Sequence, residues 1–259
     1  MSSPVLSLRG IGKRFGAVQA LSDVDFDVHR GEVVALVGDN GAGKSTLVKI
    51  ISGVYGADTG TIEIDGRRVS LTGPKSAQAL GIATVFQDLA LADNLDVVAN
   101  LFLGQEITAR GVLAEERMES RSWELLRQLS AKIPSVRVPI AALSGGQRQT
   151  VAIARSLVGD PKVVLLDEPT AALGVAQTAE VLNLIDRLRQ SGLGVVVISH
   201  NMADVQAVAD RIHVLRLGRN AAEFHIDDVT TDQLVAAITG ASDDVVAERR
   251  ARETRKETP

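Results

Sequence analysis

Cysteine is absent from all 259 residues, which removes disulfides, thiolate zinc sites and cysteine nucleophiles from consideration. Long apolar runs are absent too, for no stretch approaches the roughly 18 to 20 residues needed to cross a bilayer. The start, MSSPVLSLRG, lacks a charged opening followed by an apolar segment. A cytoplasmic protein is therefore expected, with any membrane role supplied by a partner. An excess of positive charge is missing as well. At a net charge of −4 the chain lacks the basic surface that phosphate-dominated nucleic-acid binding needs, and no nucleic-acid partner is expected. Basic residues cluster only in ERRARETRK (248–256), where they mix with acids and lack apolar periodicity. Residues 241–259 are therefore expected to be a charged, disordered tail. No internal repeat is visible.

What is present is apolar residue in short blocks. A hydrophobic share of 45% in 259 residues can bury one sizeable core, near the upper size for a single domain. The runs VVALV, IATVF, VVLL and VVVIS are apolar on both faces, as strands covered by helices on both sides are, and this predicts an α/β fold. The opening segment, Val5 to Val28, alternates apolar and polar residues in three pieces and predicts antiparallel β material. TLVKIISG has helical spacing, with Gly53 as its carboxyl-terminal cap. TIEIDG predicts a hairpin strand and turn. Between Gln87 and Pro161 the strand signal vanishes, and segments such as WELLRQL predict a helical subdomain at roughly 88–160, inserted into a domain spanning 1–240. From Pro161 a strand–helix–strand alternation resumes through His200. A helix over Met202 to Ala209, the hairpin RIHVLRLGRNAAEFH and a short helix in TTDQLVAAITG follow.

Three of the apolar runs end in side chains suited to phosphate. Glu32 to Val37 leads into GDNGAGKST (Gly38 to Thr46), Lys162 to Leu166 into Asp167 and Glu168, and Gly194 to Ser199 into His200. Parallel sheets present ligands at the carboxyl ends of their strands, so these groups can converge on one nucleotide. The first segment (Gly38, Asp39, Asn40, Gly41, Ala42, Gly43, Lys44, Ser45, Thr46) fits G-x-x-x-x-G-K-[ST] between a strand and a helix. Its glycines let backbone N–H groups turn inward as an anion nest, and the following helix points its positive end at the same phosphates. Lys44 would reach the β and γ phosphates and Ser45 would bind Mg²⁺. The plain alternative, a glycine-rich turn, does not account for the lysine, the hydroxyl, the strand and the helix together.

Asp167 and Glu168 end a buried strand, where an unpaired carboxylate is costly to desolvate. A metal ion removes that cost, with Asp167 as its partner directly or through water. Glu168 would act as base or positioner for the attacking water. The same acids also suit a helix start, and the two roles are compatible. LSGGQ (Leu143 to Gln147) is a second anion site. Ser144 and Gln147 have capping-box spacing, and Gly145 and Gly146 leave backbone N–H groups uncovered at the positive end of a helix. Alone it would pass as a well-capped helix; downstream of a phosphate loop it points to a second phosphate contact.

With GDNGAGKST, the lone Gln87, LSGGQRQ, LLDEPT and ISH (Ile198 to His200) in this order, the chain resembles the ATP-binding subunits of ABC transporters from Val5 to about Gly240. The resemblance implies a P-loop NTPase (RecA-like) core with an antiparallel β subdomain and an inserted helical subdomain. It also implies ATP and Mg²⁺ as cofactors, and a signature, Ser144 to Gln147, that serves the nucleotide held by a second ATPase subunit. By resemblance Gln87 links metal and attacking water to the helical subdomain, and His200 hydrogen-bonds the γ-phosphate. Phe15, in GKRFGAV, aligns with the aromatic that stacks on adenine, whereas from the residues alone it would pass as core. His29, His213 and His225 receive no role. One position departs from the pattern. After LLDEPTAAL, where the family usually carries an aspartate that touches the opposite subunit, the chain has Gly174.

Three longer stretches, GIATVFQDLALADNLDVVANLFLG, DEPTAALGVAQTAEV and SHNMADVQAVADRIHVLRLGR, resemble monosaccharide importers, specifically their shorter members with one nucleotide domain. The implied partners are a transmembrane permease and, through it, an extracytoplasmic solute-binding protein. The ATPase of an amino-acid or lipid importer shares the same catalytic motifs and stands as the alternative. A soluble ABC ATPase outside transport would need a coiled-coil insertion, a second ATPase domain or a basic face, none of which the sequence displays.

Overall fold

The computed structural model describes residues 3–240, and the tail expected at 241–259 lies outside the described residues. Strands β1 (Leu6–Phe15) and β2 (Val18–Val28) form an antiparallel hairpin. Leu6, Leu8, Ile11, Leu21, Val24, Phe26 and Val28 are buried from alternate positions, the pattern of a strand with one wet face. The three pieces expected in this segment are thus two long strands. Next come β3 (Val33–Val37), α1 (Lys44–Ile51), β4 (Thr59–Ile64), β5 (Arg67–Val69), α2 (Pro74–Ala79) and β6 (Ile82–Val85). Helix α1 ends at Ser52, and Gly53 follows it in the left-handed region (φ 75°), a conformation glycine adopts without strain.

The stretch before the next long strand holds α3 (Val97–Phe102), β7 (Thr108–Ala109), β8 (Val112–Leu113), α4 (Glu115–Gln128), a 3-10 turn at Ile140–Ala142 and α5 (Gly145–Ser156). The β7–β8 hairpin corrects the expectation that no strand lies between Gln87 and Pro161. Its four paired residues are exposed, so no apolar alternation announces it. The chain closes with β9 (Val163–Asp167), α6 (Val175–Gln190), β10 (Gly194–Ile198), α7 (Met202–Val208), β11 (Arg211–Arg216), β12 (Arg219–His225), a short turn and α8 (Thr231–Thr239).

Two larger sheets result. The antiparallel one has the order β2-β1-β4-β5, and the other has the order β12-β11-β3-β10-β9-β6. Every pairing in the second is parallel except β11 with β12. Strand β10 lies between β3 and β9, so the carboxyl ends of these three strands sit side by side. The cores explain their double-sided apolar character. On one face Leu36, Leu165 and Ile198 meet Leu8, Phe26 and the α1 residues Leu47, Ile50 and Ile51. On the other, Val164, Leu166 and Val195 meet α3, α4, α5 and α6 through residues such as Leu101, Leu125, Val151 and Leu184. A smaller cluster joins Val37 and Ile212 to Val205 and Leu234 on α7 and α8.

Candidate functional site

The loop from Gly38 to Gly43 leaves the buried end of β3 and enters α1 at Lys44. Gly43, with φ at 106°, begins the helix without a side-chain cap, leaving the first-turn N–H groups of Lys44, Ser45 and Thr46 to an outside acceptor. Two of its glycines are fixed by neighbours. A Cβ on Gly43 would lie 2.6 Å from Leu21 Cδ2, and one on Gly38 would lie 2.2 Å from the Leu215 carbonyl oxygen. The loop is therefore wedged between β2 and β11. The β11–β12 turn reinforces the wedge, since Gly218 N–H donates to Ala42 O (3.0 Å) and Gly218 O accepts from Ser22 N–H (2.8 Å). Within the loop Asp39 Oδ1 accepts from Asn40 N–H (2.7 Å), while Gly41, with φ at 79°, faces open space.

Lys44 Nζ donates to Gly38 O (2.7 Å) and Asp39 O (3.0 Å). Burial pulls its ammonium below the ordinary lysine value, against the opposing fields of Glu168, Asp39 and Asp167. Both acids at the end of β9 thus act on the loop lysine through their charge. Burial, then the neighbouring Glu168, pushes the Asp167 carboxyl above its ordinary value, with Lys44 and Lys49 pulling the other way. Glu168 sits in the left-handed region (φ 50°), and its N–H donates to Ile198 O (2.9 Å), which binds the acid's backbone to the end of β10. A non-glycine residue held there is strained by about 1 kcal/mol or more, and such strain clusters at functional positions. His200 Nδ1 lies 2.9 Å from Glu168 Oε1, with the His200 side chain 78% exposed and that of Glu168 only 16%. The three strand ends are thus brought together as the sequence predicts.

Gln87 follows β6 at the edge next to β9 and is exposed. Among the described residues the side chains of Ser45, Gln87 and Asp167 make no hydrogen bond, which leaves their oxygens available to a metal ion. Phe15, at the end of β1, is 41% exposed and is not core. Its ring meets Tyr55 edge-on at 5.2 Å and lies 5.5 Å beneath Lys13 Nζ. Tyr55 escaped the sequence reading, because nothing in its own neighbourhood marks a contact across forty residues.

The signature lies apart from these groups, at the start of α5. Ser144 Oγ accepts from Gln147 N–H (3.3 Å), and Gln147 Oε1 accepts from Ser144 N–H (3.0 Å), the reciprocal box expected from the spacing. Gln147 Nε2 also donates to Lys132 O (2.9 Å), so this side chain is held by its own chain. Gly145 and Gly146 face the entry to α6, and Cβ atoms on them would lie 3.1 Å from Leu173 Cδ2, just before that helix, and 3.2 Å from Gln177 Cβ in its first turn.

The segment after Gln87 is tied to α5. Arg155 donates to Leu89 O (3.0 Å) and Ala90 O (2.8 Å), and Arg148 Nη1 reaches Asp93 Oδ1 (3.4 Å). Phe86, Asp88, Leu89, Ala90, Gln105 and Arg155 border a cavity of about 250 Å³.

A phosphate-binding strand–loop–helix, an acid pair and a capped signature in one α/β chain narrow the family sharply, and the ABC transporter family profile matches residues 21–171. The chain belongs to the ABC transporter family. It is 44% identical over 248 residues to the fructose import ATP-binding protein FrcA of Rhizobium meliloti, covering 93% of this chain and 95% of that one. To the xylose/arabinose import ATP-binding protein XylG of Sulfolobus acidocaldarius it is 43% identical over 237 residues, covering 92% and 94%. Among solved structures it is similar to an ABC transporter's ATP-binding cassette in its ADP conformation, with a TM-score of 0.82 at 27% identity and coverage of 93% and 100%. It is also similar to a dimeric cassette in a post-hydrolysis state bound to ADP and Pi, with a TM-score of 0.72 at 28% identity and coverage of 85% and 98%.

Proposed function

We propose that this ABC-family protein is the ATP-hydrolysing subunit that powers import of a monosaccharide through a membrane permease. The observation that carries the ATPase half is the convergence of Lys44, Asp167, Glu168 and His200 at three adjacent strand ends. In this reading the loop N–H groups and Lys44 hold the triphosphate, Phe15 stacks on adenine, Glu168 receives or orients the attacking water, and His200 holds the γ-phosphate. Ser45, Gln87 and Asp167 are the groups that would hold Mg²⁺, and their free oxygens suit a hard cation. When bound, the ion neutralises charge on the phosphates.

The import half rests on the sugar-import names of the similar proteins. No helix among the described residues is long and apolar enough to cross a membrane, so a separate permease would provide the path and a solute-binding protein the sugar. The groove beside Gln87 is the natural seat for a permease segment, and Arg155 links that groove to the signature helix. The helical subdomain, in this reading, is the stretch at roughly 88–160. Two copies of the chain would form the working unit at the cytoplasmic face of the membrane.

The test is complementation. A strain lacking this gene is scored for growth on xylose, fructose and ribose with the wild-type chain or with Glu168→Gln supplied in trans. Wild type should restore growth on at least one of these sugars and Glu168→Gln on none. Normal growth of the deletion strain on every monosaccharide tried, paired with a defect on amino acids, would move the assignment to the alternative importer class. In vitro, Lys44→Ala should weaken ATP binding, and Glu168→Gln should retain binding with turnover lowered by about a hundredfold or more.

A further inference from the structure

Phe15 stands exposed at the tip of the β1–β2 hairpin, and a contact that holds its ring comes from the far end of α1. That helix, whose first turn belongs to the phosphate loop, ends at Ile51 and turns through Gly53, whose N–H donates to Ile50 O (3.0 Å). Tyr55 N–H then donates back to Lys49 O (2.9 Å), and Lys49 Nζ lies over the Tyr55 ring, 5.5 Å from its centroid. Tyr55 also packs, part-buried, against the core that contains Ile50 and Ile51, so its ring is fixed to the carboxyl end of α1. From there it meets the Phe15 ring with centroids 5.2 Å apart and planes at 67°, the edge-to-face arrangement that aromatic quadrupoles favour.

The loop that carries Tyr55 is fastened to the strand that carries Phe15. Asp58 Oδ1 accepts from Lys13 Nζ (2.7 Å), Asp58 Oδ2 accepts from Arg14 N–H (2.7 Å), and Asp58 N–H donates to Gly12 O (2.9 Å). The three residues before Phe15 are thus all bonded to Asp58. Held in this way, the Lys13 side chain is only 16% exposed, and its Nζ lies over the Phe15 ring at 5.5 Å. Tyr55 edge-on and Lys13 overhead define the plane of a ring at an exposed hairpin tip.

We propose that Tyr55 is a positioning residue for nucleotide binding, holding the Phe15 ring in the plane on which the base stacks and tying that plane to the helix whose other end faces the phosphates. The proposal rests on the reading of Phe15 as the adenine platform. A ring already fixed does not have to be ordered when the base arrives, so the contact acts on affinity and not on the hydrolytic step.

The test uses the full chain and calorimetric titration with two probes, ATP and inorganic tripolyphosphate, which carries phosphates but no base. Tyr55→Leu keeps apolar bulk against α1 and loses the ring contact. It should raise the dissociation constant for ATP by about fivefold and leave that for tripolyphosphate unchanged. In steady-state hydrolysis the same variant should raise KM by a similar factor at wild-type kcat. Tyr55→Phe keeps the ring and should match wild type in both measurements. Beside Phe15→Ala, Tyr55→Leu should add no further loss of ATP affinity. Equal weakening of ATP and tripolyphosphate would assign Tyr55 to the integrity of α1 and overturn the proposal, as would additive losses in the double variant or wild-type ATP affinity in Tyr55→Leu. Wild-type ATP affinity in Phe15→Ala would overturn the platform reading and this inference with it, whereas weakened binding in Phe15→Ala beside an unaffected Tyr55→Leu would overturn this inference alone.

Discussion

Glu223 shows how much a single exposed-looking acid can contribute when its partners are buried. It sits on the edge strand β12 with Oε1 2.8 Å from Arg211 Nη1 and Oε2 3.5 Å from His213 Nδ1. His213 and Arg211 together hold its carboxyl at about 2, against burial and an ordinary value of 4.5. For Arg211, burial works against the charge, but the hydrogen bonds and fields of Glu32 and Glu223 outweigh it and raise its pKa. Because the folded pKa of Glu223 is depressed, its contribution to stability is complete above the unfolded value and is lost as pH falls from 4.5 towards about 2. Glu223→Gln should therefore be less stable than wild type at neutral pH, and the gap should close across that window. Urea unfolding of both proteins at several pH values reads this directly; a gap that stays constant down to pH about 3 would show that the pair contributes nothing through charge.

At the scale of elements, α3 separates what the sequence discloses from what packing decides. Asp93 and Asp96 look alike in the sequence, two acids beside Leu95, Val97 and Val98. In the fold Val97 and Val98 are core, and Asp96 caps α3 by accepting from Ala99 N–H (2.7 Å). The Asp93 side chain is 67% exposed, with only a loose contact to Arg148 (3.4 Å). Asp96→Ala should lower stability by about 1 kcal/mol, whereas Asp93→Ala should stay within about 0.5 kcal/mol, both read by urea unfolding. If the groove beside Gln87 receives a permease, Asp88→Lys, at an exposed acid that lines it, should depress transport more than basal hydrolysis, and equal loss of both would assign the defect to folding. The strands of the parallel sheet were legible because both of their faces are apolar, and the phosphate loop and capping box because their residues are contiguous. Tyr55 under Phe15, Gln177 against Gly146 and the buried Asn100, whose amide bonds Ala92, Leu95 and Asp96, were not. Each acts through a partner fixed by tertiary packing or loop shape, which period and composition do not encode.

At the scale of the molecule, the phosphate loop and the signature of one chain occupy different places in the fold. Lys44 feels the fields of Asp167 and Glu168 at the carboxyl ends of β3 and β9, whereas Ser144 caps α5, whose first glycines face Leu173 and Gln177. A single nucleotide bound by Lys44 is thus completed by the Ser144 of a second chain in the two-subunit reading, each chain giving half of two equivalent sites about a two-fold axis. The γ-phosphate is the group that would reach the signature, so ATP should close the pair and ADP should release it. The differential required is modest: about 3 kcal/mol of extra contact at each of two sites shifts a dimer equilibrium by about four orders of magnitude. Light scattering of Glu168→Gln chains should therefore report dimers with ATP and monomers with ADP, and Ser144→Arg, which removes the cap and fills the anion position, should abolish the ATP-held dimer. Mixing Lys44→Ala chains with Ser144→Arg chains puts both lesions into one site of a mixed pair and leaves the other intact. Partial recovery of hydrolysis in the mixture, with neither parent active, would demonstrate composite sites. Silence in the mixture alongside ATP-dependent dimers would mean instead that both sites must work together.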